Sequence, residues 1–182
     1  MPNDSRQKMI ESAAVLLAMR GLDGTSFNDV LARSGAPRGS IYHHFPEGKD
    51  QLVDAAIGLA GERALRVLDA VDGRPPGEVT AFFLDLWRAV LERSGLRAGC
   101  AVLAVTVATD STELLDHAAA IFRAWRVRIA DLYVVGGVTQ DAAGRLAATL
   151  VAATEGAVVV SRAERSMDAF ELVAAQLLEM TP

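Results

Sequence analysis

Cysteine, lysine and long apolar runs are scarce in this chain, and each scarcity excludes a class of protein. One cysteine, Cys100, in 182 residues excludes an intramolecular disulfide framework and fits a reducing compartment. The longest apolar run beyond the N-terminal segment, residues 100–108, is far shorter than the roughly 20 residues that span a bilayer. Apolar residues of the N-terminal segment recur every three or four positions around Glu11, which predicts an amphipathic helix rather than a secretory signal. We therefore expect a soluble, cytoplasmic protein.

An overall excess of positive charge is also missing. The chain has 18 Lys and Arg against 23 Asp and Glu, so its net charge is −5. Residues 1–50, however, contain six cations and six anions, and the remaining residues carry the whole deficit. Binding to a polyanion depends on the local field, so a neutral N-terminal region with well-placed cations can still contact phosphate. A composition of 51% hydrophobic and 23% charged residues indicates a folded chain.

Almost every segment has its apolar residues at helical spacing, which predicts an all-α fold. A first helix is expected from about Ser5, with Gly21 as its stop. Thr25 or Ser26 can cap a short second helix, "FNDVLARS", and Gly35 can end it in the left-handed conformation. Pro37 then suits the first turn of a third short helix, because its missing N–H costs nothing there. A long fourth helix is predicted over residues 49–71.

The strongest loop signal in the chain is "DGRPPGE", residues 72–78. About five longer helices are predicted after it, the last two over residues 140–165 and 168–180. The β-branched "AVTV" within the run that starts at Cys100 could form a strand. It has no partner run among its helical neighbours, so we predict a buried helix.

Polar and cationic residues cluster around the second and third helices. Two short helices joined by a glycine-containing turn are typical of a helix-turn-helix, whose second helix enters the major groove of DNA. Arg38 would lie in the first turn of that helix, where a guanidinium can bond guanine O6 and N7. Gly39 lets backbone approach DNA, and Ser40 can reach base or phosphate. Tyr42 and His43 would follow at the groove wall, and Lys49 would add a cation at the start of the fourth helix.

Other interpretations of the same residues compete with this one. His43 and His44 would need more ligands to hold a metal, and His117 and Cys100 are the only other histidine and cysteine in the sequence. We expect no metal and no cofactor, with His44 packed inward under Phe45. Tyr42 could instead be a core tyrosine, and Arg38 a solvated surface cation. The sequence has no nucleophile elbow, phosphate loop or carboxylate pair, so we do not expect an enzyme.

The stretch "TSFNDVLARSGAPRGSIYHHF" resembles the DNA-binding signature of the TetR family of bacterial transcriptional regulators. "SIYHHFPEGKDQL", with the later "GC" and "TEGAVVVSRAERS", resembles its LmrA/YxaF-like subgroup. The resemblance implies a homodimer that binds a palindromic operator in double-stranded DNA and is released by a small molecule. It also implies a DNA-binding domain over residues 1–48, a connecting helix over 49–71, and a ligand-binding and dimerisation domain over 72–182. Its DNA contacts would come from Thr25, Ser26, Pro37, Arg38, Gly39, Ser40, Tyr42, His43 and Lys49.

The region beyond residue 72 contains the candidate effector site. Its aromatic residues occur at helical spacing and could be core, yet an apolar pocket with few polar anchors would suit a flat hydrophobic effector. Glu155 is a lone carboxylate in an apolar helix and must be paired, protonated or solvated by a cavity. Cys100 could equally be a small buried filler. The candidate ligand residues are Phe83, Trp87, Cys100, Leu103, Thr106, Phe122, Trp125, Arg126 and Glu155.

The last two long helices carry a stripe of small and branched residues. Such a stripe could be core, or two helices from each subunit could form a four-helix dimer interface, as the resemblance implies. The candidate interface residues are Leu146, Leu150, Ala153, Ala157, Val158, Leu172, Ala175 and Leu178.

The sequence thus predicts a ligand-responsive repressor with three partners: operator DNA, a small-molecule effector and a second copy of itself. No membrane partner is expected. Two alternatives stay open. One is a helical small-molecule-binding or enzymatic protein whose helix-turn-helix does not read DNA. The other is an activator or protein-interaction module of the same fold.

Overall fold

The chain is all-helical over the part that its structure, a computed structural model, describes: the backbone of residues 2–182 and the side chains from Asp4 onward. The helices are α1 Pro2–Arg20, α2 Phe27–Ser34, α3 Ser40–His44, α4 Lys49–Leu68, α5 Pro76–Ser94, α6 Ala101–Thr106, α7 Thr112–Val135, α8 Gln140–Glu164 and α9 Asp168–Met180, and a 3-10 turn, Asp69–Val71, follows α4. The predicted fold class is confirmed. The "AVTV" segment lies in α6, so the helix expected there is confirmed too.

Two compact units make up the fold. The first ends at Glu62 and also includes Cys100–Ile121, whereas the second consists of Arg63–Gly99 and Phe122–Pro182. Helices α4 and α7 therefore contribute residues to both units.

The first unit is built around α1, which packs against α2, α3 and α6. Burying one large apolar side chain contributes roughly 1.5–3 kcal/mol, so a cluster of them can hold three short helices in place. The largest fully buried side chains of this unit are Met9, Leu17, Ile41, Phe45, Leu52, Ile57 and Leu114. Phe45 directly follows α3, and its burial anchors the end of that helix.

Helices α4 and α7 approach each other closely within the first unit. A Cβ placed on Gly61 would lie 2.8 Å from Cγ2 of Ile121, so even alanine would displace the isoleucine. One turn earlier, a Cβ on Gly58 would lie 3.2 Å from Cε1 of His117, whose Nδ1 is 2.5 Å from Oδ1 of Asp54. Glycine at both positions thus permits the contact between the helices.

The second unit has a large apolar core to which α5, α7, α8 and α9 contribute. Within it the Thr80 hydroxyl and the Tyr133 phenol lie 2.6 Å apart, and both residues are 0% exposed. Burial raises the pKa of Tyr133.

At the edge of the core, Arg88 of α5 donates to both carboxylate oxygens of Glu171 in α9, at 2.7 and 2.8 Å. The Arg88 guanidinium also lies 5.6 Å from the centre of the Phe170 ring, so polar and apolar contacts join α5 to α9.

Among the described residues, α8 alone is long and apolar enough to cross a membrane. Of its most apolar stretch, 44% is buried within the fold. A core helix of a water-soluble protein meets the same criteria, so α8 is weak support for a membrane span.

Candidate nucleic-acid interface

Helix α2 is fixed at both ends. The Ser26 hydroxyl accepts the backbone N–H of Asp29 at 3.2 Å, and the Asp29 carboxylate accepts the backbone N–H of Ser26 at 3.2 Å. This is a capping box, and of the two predicted caps, Thr25 and Ser26, it uses Ser26. Hydrogen bonds from Ser26 lower the pKa of Asp29. At the other end Gly35 has φ +69°, and its N–H donates to the Leu31 carbonyl at 3.0 Å, which confirms the predicted glycine cap.

Helix α3 begins later than the sequence predicted. We expected Pro37 in its first turn, but the helix starts at Ser40. The Ser40 N–H and hydroxyl both donate to the Pro37 carbonyl, at 3.0 and 2.6 Å. Serine can satisfy backbone groups in this way outside a helix, so residues 37–40 close a separate turn. Arg38 and Gly39 therefore lie in the turn that leads into the helix.

The side chains of this turn and helix that can contact DNA point to solvent. Arg38, Gly39 and His43 are exposed, and Ser40 is half-buried. Tyr42 is 69% exposed, which excludes a core position for it. Its ring lies edge-on to Phe27 of α2, with centroids 5.7 Å apart, and this contact orients the phenol. Pro37 is exposed as well, so the predicted groups from residue 37 to residue 43 form one accessible stretch.

Two predicted phosphate ligands already have partners inside the protein. Thr25 is 2% exposed, and its hydroxyl donates to the Gly21 carbonyl at 2.8 Å. Lys49 is half-buried, and its Nζ donates to the Leu22 carbonyl at 2.7 Å. His44 is half-buried too, with its ring centre 5.2 Å from that of His43.

The sequence reasoning missed Arg6 and Arg33. Arg6 is exposed, and its guanidinium lies 5.4 Å from the ring centre of Phe45, which follows α3 directly. Arg33 is exposed in the last turn of α2. Exposed cations on the helices that flank α3 were the available signal. Both arginines lie before Gly35, outside the cluster of polar and cationic residues that follows it.

Among the described residues, no three or more His, Cys, Asp or Glu side chains are grouped so that they could hold a metal ion.

The predicted effector residues are divided between the two units. Cys100, Leu103 and Thr106 lie in the first unit, where the Cys100 thiol accepts the Leu103 N–H at 3.4 Å and the Thr106 hydroxyl donates to the Val102 carbonyl at 2.9 Å. These polar groups therefore have local roles in α6. The other candidates, Phe83, Trp87, Phe122, Trp125, Arg126 and Glu155, belong to the second unit.

Within the second unit the aromatic candidates are largely buried. Phe83 and Trp125 are each 5% exposed, and the rings of Phe122 and Trp125 meet edge-to-face with centroids 5.4 Å apart. Glu155 is only 7% exposed on α8, whereas Arg126 is exposed to solvent. The structure brings Phe122 and Trp125 together and leaves the predicted cation outside the core.

The predicted dimer stripe combines buried and exposed residues. Leu150, Ala157 and Val158 lie in the core of the second unit, with Leu146 and Ala153 packed against it. These five residues therefore belong to the core rather than to a free surface. On α9, Leu172 is 74% and Leu178 is 39% exposed, and Ala175 is also exposed. The exposed small and branched residues of α8, which the sequence reasoning passed over, include Ala152, Gly156, Val159, Val160 and Ala163.

Comparison with known proteins identifies the family to which helices α2 and α3 and the helical region after α4 belong. Residues 9–56 match the family described as bacterial regulatory proteins, tetR family. Residues 76–176, more than half of the chain, match the LmrA/YxaF-like transcriptional regulator C-terminal domain. The chain belongs to the TetR family of DNA-binding transcriptional regulators, in the subgroup with LmrA/YxaF-like C-terminal domains.

Relatives along the whole chain agree with this assignment. An uncharacterized HTH-type transcriptional regulator of Mycobacterium tuberculosis is 35% identical over 179 residues, which cover 94% of this chain and 91% of that protein. The HTH-type transcriptional regulator LmrA of Bacillus subtilis is 27% identical over 87% of this chain and 86% of its own length. The crystal structure of a regulatory protein TetR from Rhodobacter sphaeroides shares the fold, with a TM-score of 0.86, 20% identity and coverage of 98% of this chain and 99% of that one.

Proposed function

We propose that this protein is a ligand-responsive repressor that binds a palindromic operator as a homodimer and leaves it when a small hydrophobic or aromatic effector binds. The observation that supports the proposal is the accessible stretch from Pro37 to His43, which follows a helix, α2, that is capped at both ends. A fixed α2 and a buried Phe45 hold α3 in place, so its polar residues meet DNA with little loss of conformational entropy on binding.

In this proposal the stretch divides its contacts by chemistry. Arg38 reads a guanine in the major groove, and Gly39 lets the backbone come close to DNA. Ser40, Tyr42 and His43 donate to base edges or phosphates and set the position of the helix. Arg6 and Arg33 add two exposed cations that strengthen the binding of any sequence.

The second copy of the chain is proposed to dock on the exposed faces of α8 and α9. These helices pack on each other, and their outward residues include Gly156, Val159 and Leu172. Small residues allow close helix approach, and the branched apolar ones gain burial on association. A second copy suits this surface because a two-fold dimer would present two recognition helices to successive major grooves, about 34–36 Å apart.

The effector is proposed to bind among the aromatic residues of the second unit, with Phe122 and Trp125 in the wall of its binding site. Binding would favour a dimer in which the spacing of the recognition helices no longer fits one turn of DNA. We place DNA recognition in residues 1–48, the link in 49–71, and effector binding and dimerisation in 72–182. A protein with this role acts in the cytoplasm.

Selection of sheared genomic DNA on the purified protein, followed by footprinting, tests operator binding. We expect a palindromic site, and Arg38→Ala should lose about 1–3 kcal/mol of binding free energy and relax the preference at one base pair. Arg93→Ala, at an exposed arginine in the last turn of α5 and outside the proposed dimer face, is the matched control and should bind as wild type does. Equal affinities for wild type and Arg38→Ala would overturn the role of Arg38.

The oligomeric state is tested by analytical ultracentrifugation of wild type and Leu172→Asp. We expect a dimer for wild type and dissociation for the variant, because a carboxylate cannot be buried in an apolar interface without a partner. A wild-type monomer at micromolar concentration would refute the dimer. A reporter gene placed behind the selected site then distinguishes repression from activation.

A further inference from the structure

Lys49 is bonded to a turn that lies far from it in sequence. It is the first residue of α4, and its Nζ donates to the Leu22 carbonyl, 27 residues earlier, at 2.7 Å. The same carbonyl accepts the backbone N–H of Thr25 at 3.2 Å. The ammonium of Lys49 and the amide of Thr25 therefore share one oxygen.

That oxygen belongs to the turn between α1 and α2, residues 21–25. Thr25 closes the turn with its hydroxyl on the Gly21 carbonyl at 2.8 Å, and it is 2% exposed. Ser26, the cap of α2, comes next in the chain. A short covalent path thus joins the carbonyl bonded to Lys49 to the first residue of α2.

We propose that Lys49 is a positioning residue. Its ammonium fixes the turn of residues 21–25, and with it the start of α2, to the beginning of α4, and it does not neutralise a phosphate. This inference rests on the proposed function and replaces the phosphate contact that the sequence predicted for Lys49. A displacement of the first residue of α4 would then be passed to α2 through a hydrogen bond.

Salt dependence separates the two roles. A lysine that neutralises a phosphate releases a counterion on binding, and each such contact contributes about 0.9 to the slope of log affinity against log salt. A positioning lysine makes no such contribution. Losing it lowers the affinity at every salt concentration by the same factor, because the free protein less often holds α2 in the binding position.

The experiment compares Lys49→Met with Lys8→Met on the selected operator duplex over a range of salt. Lys8 is the only other lysine in the sequence, and it is an exposed residue of α1 paired with Asp4 at 2.6 Å. We expect Lys49→Met to bind about tenfold more weakly, as loss of one charge-assisted hydrogen bond implies, with an unchanged salt slope. Lys8→Met should match wild type in affinity. A slope reduced by about 0.9 in Lys49→Met would overturn the proposal.

Acetylation of the folded wild-type protein without DNA is the second measurement, and it needs neither a variant nor an operator. With a limiting amine-acetylating reagent followed by peptide mass spectrometry, Lys49 should react about tenfold more slowly than Lys8. The Lys49 amine is half-buried on a carbonyl, whereas the ion pair of Lys8 with Asp4 lies at the surface, where the Lys8 side chain is 55% exposed. Equal rates would overturn the positioning role. If the wild type selects no DNA, the proposed function fails, and the acetylation rates still decide whether the bond to Leu22 protects Lys49.

Discussion

The two units of the chain use their side chains in opposite ways. In the first unit, short helices are held by caps and a few large buried residues, and the polar groups of residues 37–43 are left exposed. In the second unit, long helices pack on an extensive apolar core, and buried polar contacts such as that of Thr80 with Tyr133 lie within that core. Substitutions at the first unit's surface should therefore change DNA binding, whereas substitutions in the second should change stability.

The largest effect is expected from Phe170→Ala in the second unit. Phe170 is 1% exposed, and removing a buried phenylalanine costs about 3–5 kcal/mol of unfolding free energy. Val127→Ala on α7 is the control, because Val127 is 53% exposed and lies outside the proposed dimer faces of α8 and α9. Urea unfolding at one fixed protein concentration measures both. A loss below about 1 kcal/mol for Phe170→Ala would show that α9 contributes little to the core.

A smaller loss is expected from Thr80→Val, which removes the Thr80 hydroxyl, 2.6 Å from the buried Tyr133 phenol, and leaves that phenol with Thr181. Loss of a hydrogen-bond partner by a buried hydroxyl costs about 1–3 kcal/mol of unfolding free energy. Tyr133→Phe combined with Thr80→Val should lose less than the sum of the two single variants, because the two hydroxyls that pair with each other are then both absent and Thr181 still donates to the Leu177 carbonyl. Additive losses in this double-mutant cycle, measured by urea unfolding, would mean that the hydrogen bond does not couple the two residues.

The first unit should respond to loss of its cap. Ser26→Ala removes the acceptor for the Asp29 N–H and is expected to destabilise the protein by about 1 kcal/mol. Ser26→Asn should restore most of this loss, since asparagine also caps helices well. Hydrogen exchange of the α2 amides reports the change locally. No increase in exchange for Ser26→Ala would contradict a role for this cap in holding α2.

The smallest effect is expected from the ion pair between Arg88 and Glu171. The hydrogen bond from Arg88 lowers the pKa of Glu171 below its ordinary value of 4.5, so the pair stabilises the fold above that pH. The contribution is lost as pH falls through the lowered pKa. Glu171 is largely exposed, so Glu171→Gln should cost only about 0.2–1 kcal/mol at neutral pH and nothing in strong acid.

Unfolding curves at neutral pH and below pH 4.5 check the sign. An equal loss at both pH values for Glu171→Gln would show that packing, and not charge, accounts for it.

Local signals made the ends of α2 predictable from the sequence. Ser26 lies three residues before Asp29, and Gly35 follows the last turn. These residues act on neighbouring backbone groups, so their effect can be predicted without knowledge of the fold. The start of α3 was not predictable in the same way. Pro37 is compatible with a helix start, but Ser40 uses the Pro37 carbonyl to close a turn first.

Contacts between distant segments could not be predicted. The bond from Lys49 to the Leu22 carbonyl joins residues 27 positions apart, and a lysine at a helix start is equally compatible with a phosphate. The buried face of α8 was ambiguous for a different reason. Alanine and valine occur on all sides of that helix, so periodicity did not separate the buried Ala157 from the exposed Ala152.

The first unit is assembled from two stretches of chain, and this limits how hybrid regulators can be built from it. A graft of the N-terminal stretch alone would leave behind α6 and the start of α7, with Val102, Val105 and Leu114 that are at most 2% exposed in this fold. Helix α1 would then lose the partner that α6 provides. A transplant that keeps this unit intact needs junctions after Glu62, before Cys100 and after Ile121.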